Sequence, residues 1–207
     1  MISLLNMSQL IFTPKIKMKA TWGQLYGSSL PLALAEFCEA TSGIKLLIAP
    51  DNLAAAQLVE ELKFFLNKEE MQEILLFPDW ETLPYDQFSP HQDIISERLY
   101  TLSRLQQASN AIVISAVSTL MHRLCPPSFI AQQGLVLKEN QTLQIEQFRQ
   151  QLEQAGYYCV NKVLEHGEFA VRGAIIDIYP MGSQLPFRIE LFDETVESLR
   201  RLIQKRS

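Results

Sequence analysis

Residues 45–66 read KLLIAPDNLAAAQLVEELKFFL, and this stretch decides the fold of the first part of the chain. Its apolar run LLIA is continuous rather than alternating, which is typical of a strand buried on both faces of a parallel sheet. Pro50 ends that run, and Asp51 or Asn52 can cap the free amide groups of a following helix. The stretch therefore predicts a strand at residues 45–49 followed by a crossover helix, the repeating unit of α/β folds.

The same alternation of strand and helix continues on both sides of this unit. Leu30, Leu34 and Phe37 recur at helical spacing before it. Apolar runs at residues 74–77 and 111–117 predict two more strands, and a helix is expected between them at residues 94–107. This order is typical of an open parallel sheet with right-handed crossovers. We therefore predict an α/β domain over residues 1–132.

The pattern changes at residue 133, where several strands follow one helix. Ile145, Phe148 and Leu152 form the apolar stripe of an amphipathic helix. The later apolar segments are separated by Gly, Pro and Asp turns with no helices between them, which favours antiparallel pairing. We therefore predict a smaller α+β domain over residues 133–207, with a mainly antiparallel sheet whose strands lie at residues 157–164, 169–179, 187–192 and 198–203.

Alternation within two of these strands places charged and aromatic residues on one side. Along residues 187–192, Arg188 and Phe192 face away from the apolar positions between them. Residues 169–179, taken as one unbroken strand, put Arg172 on the face opposite Asp177. An exposed Phe beside two arginines has the composition of a binding hot spot. A solvated strand face with Phe192 tucked under a turn is the alternative, and the residues alone favour neither.

Composition narrows the class of protein. Of 207 residues, 18 are basic and 23 acidic, so the formal net charge is −5, which argues against a generic nucleic-acid coat protein. Every apolar run is far shorter than the roughly 20 residues that cross a bilayer, so no membrane partner is expected. Residues 1–12 contain no early Lys or Arg and make a poor signal peptide. A cytoplasmic location is the default expectation.

No catalytic or metal site can be assembled from the sequence. The turn LYGSSLPL at residues 25–32 has one Gly and no Lys, and the chain lacks the Gly-Lys-Ser/Thr of a phosphate-binding loop. The three cysteines are too widely spaced for a metal or redox pair. His166-Gly167-Glu168 echoes the H-x-E of zinc deaminases without the P-C-x-x-C partner. The acidic loop that carries Asp79 and Asp93 is expected to be hydrated. We predict no catalytic residue, metal or cofactor in this chain.

Several longer strings resemble a known family. They are WETLPYD at residues 80–86, FSPHQDIIS at 88–96, EHGEF at 165–169, RGA at 172–174 and PMGS at 180–183. Together they resemble the amino-terminal UvrB-homology region of the bacterial transcription-repair coupling factors, the Mfd family. The pattern F-x-V-R-G from Phe169, and F-D-x5-L-R from Phe192, is similar more distantly to the excision-repair protein UvrB.

The resemblance implies a helicase-like α/β domain without a functional phosphate-binding loop, followed by a domain that docks the damage-recognition ATPase UvrA. The family's docking surface uses two arginines and a phenylalanine, which fall on Arg172, Arg188 and Phe192. The long DNA-gripping hairpin of UvrB is absent from the loop at residues 86–90. The implied function is an adaptor that recruits UvrA to RNA polymerase stalled at DNA damage, in transcription-coupled nucleotide excision repair.

The resemblance also implies that other domains of a longer protein carry the remaining activities. Contacts with RNA polymerase and DNA, and ATP- and Mg²⁺-dependent translocation, are expected of those domains and not of this chain. The last strands of the first sheet are also expected to come from residues beyond Ser207. The alternative function is an active UvrB-like ATPase that binds damaged DNA, which the missing lysine and the acidic balance disfavour.

Overall fold

A computed structural model describes residues 21–66, 72–82, 87, 89–133 and 137–202. The fold is mixed α/β, with one three-stranded parallel sheet and one five-stranded, mainly antiparallel sheet. Two compact units are present: one is built from the chain up to Asp79 and from Gln107–His122, the other from Trp80–Gln106 and the chain from Arg123 onward. The domain boundary between residues 132 and 133 stays a prediction. Expectations for residues 1–12, 86, 88 and 203 lie outside the described part of the chain.

The first unit contains the predicted parallel sheet. Its strands lie in the order β1-β3-β2, and both pairings are parallel. The observed strands match the positions of the three predicted from the apolar runs. The expected burial of the first strand on both faces is wrong, because Leu46 and Ile48 are each 53% exposed on one side of β1. The helices and strands of this unit are α1 (Ser29–Ala40), β1 (Ile44–Ala49), α2 (Asn52–Phe65), β2 (Glu73–Phe77), β3 (Ala111–Ala116) and a short 3-10 helix (Ser118–Met121).

Local chemistry explains where these elements begin and how they pack. Asp51 accepts a hydrogen bond of 2.8 Å from the backbone amide of Ala54, so the predicted cap of α2 is formed. All six residues of β3 are buried, as expected for the central strand of a covered sheet. Leu62 of α2 packs with Ile112 and Ile114 in the core of this unit.

The second unit contains the mainly antiparallel sheet, whose strands follow chain order. The first pair is parallel and the other three pairs are antiparallel. Phe148, Phe169 and Ile189 are buried in its core. The elements outside the first unit are α3 (Gln92–Gln107, whose last residue belongs to the first unit), α4 (Pro127–Gln133), α5 (Ile145–Gln154), β4 (Tyr158–Cys159), β5 (Glu168–Arg172), β6 (Ile175–Ile178), β7 (Phe187–Phe192) and β8 (Thr195–Arg201).

The prediction of one unbroken strand over residues 169–179 was wrong. A two-residue hairpin turn at Gly173 and Ala174 divides this segment into β5 and β6. Gly173 has a φ of 60°, and a positive φ at the first central residue is what a type II′ hairpin turn requires. Because Arg172 pairs directly with Ile175, it lies on the same face as Asp177 and not on the opposite one.

None of the helices in the described ranges is long and apolar enough to cross a membrane.

Candidate partner-binding face of the second sheet

The outer face of the second sheet carries the predicted site residues. In β7, Ile189 and Leu191 are buried in the core. The alternate residues Arg188, Glu190 and Phe192 therefore point outward. The cross-strand partners of those residues share the same side of the sheet. We call this surface the charged face, and it consists of Arg172, Asp177, Arg188, Glu190, Phe192, Ser198 and Arg200.

Asp177 and Arg188 form the centre of the charged face. They are direct cross-strand partners on β6 and β7. Arg188 Nε donates to Asp177 Oδ1 over 2.7 Å, and Arg188 Nη2 donates to Asp177 Oδ2 over 2.9 Å. The side chain of Asp177 is 7% exposed and that of Arg188 is 34% exposed. The hydrogen bond and the charge of Asp177 raise the pKa of Arg188 above its usual value, so the guanidinium stays cationic.

Arg172 approaches the same carboxylate from β5. Its Nη2 lies 4.0 Å from Asp177 Oδ2. The same nitrogen donates to the backbone carbonyl of Asn161 over 2.8 Å, which ties the end of β5 to the loop after β4. The Arg172 side chain is 52% exposed. Both predicted arginines therefore lie on one face and converge on one buried carboxylate.

Phe192 is the exposed aromatic of the charged face. It is the last residue of β7 and is 71% exposed, so it is not tucked under a turn. Asp193, which follows it, has a φ of 53°, and the chain reverses there into β8. A phenylalanine held in solvent at the end of a strand has a large apolar area available for a partner.

Four further residues of the charged face are not among the predicted site residues: Asp177, Glu190, Ser198 and Arg200. Arg200 of β8 is the direct cross-strand partner of Arg188. Its Nη2 lies 3.2 Å from Glu190 Oε2, which also accepts a hydrogen bond of 2.7 Å from Ser198. Ser198 and Arg200 are two residues apart in a strand, and this spacing indicates that they lie on the same face. Asp177 was missed because the hairpin turn before it was missed.

The loop before β5 accounts for the H-x-E string. His166 Nδ1 lies 2.7 Å from Asp93 Oδ1, and His166 Nε2 lies 2.8 Å from the carbonyl oxygen of Ser183. Glu168 instead accepts hydrogen bonds from the backbone amides of Leu164 and Glu165. Within the residues that the structure describes, no group of three or more His, Cys, Asp or Glu side chains is placed to hold a metal ion.

The turn before α1 is the candidate phosphate-binding turn of the sequence. Gly27 has a φ of 56°. Ser28 occupies the N-cap position without a side-chain capping bond, and Ser29 Oγ donates back to the carbonyl of Tyr26 over 2.7 Å. The turn begins a helix and uses the Ser29 hydroxyl for its own closure.

Comparison with known proteins shows which sequences this chain is similar to. A family model described as the UvrB interaction domain matches residues 135–206. The transcription-repair-coupling factor of Haemophilus influenzae is 44% identical over 198 residues, which cover 94% of this chain and 17% of that protein. The Escherichia coli protein of the same name is 47% identical over 178 residues, 86% of this chain and 15% of that protein. The Bacillus subtilis protein is 28% identical over 176 residues.

The chain spans less than a fifth of the length of these curated relatives. All of the charged face, from β5 to β8, lies inside the range matched by the UvrB interaction domain. The alignments with the Haemophilus influenzae and Escherichia coli proteins cover 94% and 86% of this chain, so they include much of the first unit as well. The chain therefore belongs to the transcription-repair-coupling factor family, as its amino-terminal UvrB-like region.

Proposed function

We propose that this chain is an adaptor module that recruits UvrA to RNA polymerase stalled at DNA damage, in transcription-coupled nucleotide excision repair. The observation that carries the proposal is the charged face, where Arg172, Arg188 and Phe192 point outward from one sheet inside a UvrB interaction domain. The module acts by protein contact and performs no chemical step. RNA polymerase and DNA are contacted by other parts of a longer cytoplasmic protein.

The composition of the charged face supports a protein partner. Arginine and aromatic residues dominate the energetics of protein interfaces, because they combine a large contact area with directional charge recognition. Arg172 is 52% exposed and Phe192 is 71% exposed, so both are available in the free chain. A partner surface that presents carboxylates beside an apolar pocket is complementary to this face.

The first unit is proposed to be a helicase-like domain that has lost its phosphate-binding loop. The turn before α1 contains a single glycine, Gly27, and no lysine. A working loop of this class needs a lysine for the terminal phosphates and a Ser or Thr hydroxyl free for Mg²⁺. Without that lysine the turn lacks the group that such a loop uses for the terminal phosphates. ATP and Mg²⁺ are therefore assigned to the translocase domains of the longer protein.

Calorimetric titration of UvrA with this chain tests the adaptor function. The wild-type chain should bind saturably, and Arg172→Glu should weaken binding by about thirtyfold, since a residue at an interface centre contributes about 2 kcal/mol. Arg149→Glu is the matched control, because Arg149 lies on α5, outside the charged face, and its exposed side chain pairs with Glu153. Equal affinities of wild type and Arg172→Glu would contradict the proposal.

The adaptor function and the alternative of an active ATPase predict different results with nucleotide. If the chain is an adaptor, titration with ATP and Mg²⁺ should give no saturable heat, and no phosphate should be released in the presence of damaged DNA. Magnesium-dependent, saturable heat would favour the enzymatic function over the adaptor.

A further inference from the structure

The proposed function leaves the buried carboxylate of Asp177 without a role. Its side chain is 7% exposed, which is too little for it to offer a partner much contact area. A carboxylate that is nearly buried loses its hydration and needs hydrogen-bonded cations in exchange. Asp177 faces two cations of the charged face: Arg188 by two hydrogen bonds and Arg172 at 4.0 Å.

The geometry of the Arg188 guanidinium limits what it can offer. A guanidinium has five N–H donors arranged on a rigid plane. Asp177 occupies the edge formed by Nε and Nη2. The edge formed by Nη1 and Nη2 remains for another acceptor, and 34% of the side chain is exposed. A second carboxylate can therefore bind the outer edge in a two-pronged arrangement while Asp177 holds the inner one.

Asp177 also separates two like charges. Arg172 and Arg188 lie on β5 and β7, and β6 with Asp177 runs between them. Without the negative charge the two guanidinium groups repel each other, and the long side chains turn toward solvent in different directions. Each would then have to be ordered again when a partner binds, at a cost in side-chain entropy.

We infer that Asp177 is the positioning residue of the charged face: it fixes Arg188 so that the outer guanidinium edge of Arg188 receives a carboxylate of the partner. The inference rests on the proposed function, with UvrA as the partner. Asp177 acts through Arg188 and makes no contact with UvrA itself.

A double-mutant cycle tests this role. UvrA affinity is measured for the wild-type chain, Asp177→Asn, Arg188→Ala and the double variant. Asp177→Asn should weaken binding about tenfold, and in the Arg188→Ala background it should have almost no further effect, since residues that act as one unit are not additive. Additive losses would mean that Asp177 contributes independently of Arg188 and would overturn the inference. Glu153→Gln, which breaks the exposed 3.0 Å pair with Arg149, is the matched control and should bind like wild type.

Two further measurements separate positioning from a loss of folding. The Arg188 Nε–H resonance should exchange slowly in wild type and become averaged with solvent in Asp177→Asn; a slow signal in that variant overturns the inference. Arg188→Lys leaves Asp177 a cation but removes the planar outer edge, so it should fold normally and bind about as weakly as Arg188→Ala. Wild-type affinity of Arg188→Lys also overturns it. Failure of wild type itself to bind UvrA defeats the proposed function instead.

Discussion

Arg172 and Arg188, which lie on strands separated by β6, both face one carboxylate, that of Asp177. Arg188 holds it with hydrogen bonds of 2.7 and 2.9 Å, whereas Arg172 approaches it to 4.0 Å and makes its own hydrogen bond to the carbonyl of Asn161. The two arginines therefore contribute differently to the stability of the sheet. Arg188 satisfies a buried charge, and Arg172 is mainly available to a partner.

The two arginines should differ in their effect on stability. Arg188→Ala leaves the buried Asp177 carboxylate without its hydrogen-bonded cation and should lower the free energy of unfolding by about 1–3 kcal/mol. The Arg188 side chain is 34% exposed, so water screens its ion pair with Asp177. The loss should therefore fall in the lower part of that range. Arg172→Ala should cost less than about 0.5 kcal/mol, as for other surface changes. Urea unfolding checks the difference, and equal losses would show that Asp177 depends on both arginines alike.

Phe192→Ala should separate binding from folding most cleanly. The ring is 71% exposed, so its removal should change the free energy of unfolding by less than about 0.5 kcal/mol. Loss of an aromatic anchor should weaken UvrA binding by about 2 kcal/mol. Phe64→Ala is the control, since Phe64 is 81% exposed in the first unit. If calorimetry shows the same affinity for both variants, Phe192 does not anchor the partner.

The sequence predicted the elements with strong periodicity and missed those set by distant contacts. The run LLIA and the cap at Asp51 are local signals, and both predicted the observed strand and helix. The seven-residue helix α4 has little apolar stripe of its own and was not predicted. The second unit also takes in Trp80–Gln106, which no local pattern indicates because the link depends on contacts such as His166 with Asp93.

The charged face was predicted where alternation ran without a break. Period-two spacing placed Arg188 and Phe192 on one side of β7, as the structure has them. The same rule failed at Gly173, because a turn inside an apolar segment reverses which side each later residue faces. Asp177 was therefore assigned to the wrong face, and its pairing with Arg188 could not be predicted from the alternation of residues.

Gly173 should be needed for its backbone conformation alone. A Cβ at this position would meet no atom within 4 Å, so side-chain crowding is absent. Its φ of 60° is unfavourable for an L-residue, and Gly173→Ala should cost about 1–2 kcal/mol in the free energy of unfolding. Gly43, with a φ of 98° in the first unit, offers a comparison for the same substitution. An unchanged urea midpoint for Gly173→Ala would show that the turn can adopt another form.

Cys38 should make the first unit sensitive to alkaline pH. Burial raises the pKa of its thiol above the usual 9.0, an effect that the charge of Lys45 opposes and that of Glu39 reinforces. Because the folded pKa is raised, the stabilisation is fully present below pH 9.0 and is lost as the pH rises through the folded pKa. Thermal unfolding of wild type and Cys38→Ala at several pH values isolates this group. Above pH 9.0 the wild type should lose stability relative to Cys38→Ala. A difference in stability that stays constant with pH would contradict the raised pKa of Cys38.

Arg200 should affect the rate of UvrA association more than the lifetime of the complex. Its side chain is 68% exposed and its ion pair with Glu190 lies at the edge strand β8, so water and salt reach it freely. A charge at the rim of an interface speeds encounter by attracting an oppositely charged surface, whereas desolvated contacts at the centre set dissociation. Arg200→Gln should therefore lower the association rate at low salt and leave the dissociation rate nearly unchanged. Arg149→Gln removes the same charge from α5 and should have a smaller effect on association. Stopped-flow measurements over a range of salt concentrations check both, and a faster dissociation of Arg200→Gln would place Arg200 in the desolvated centre with Arg188.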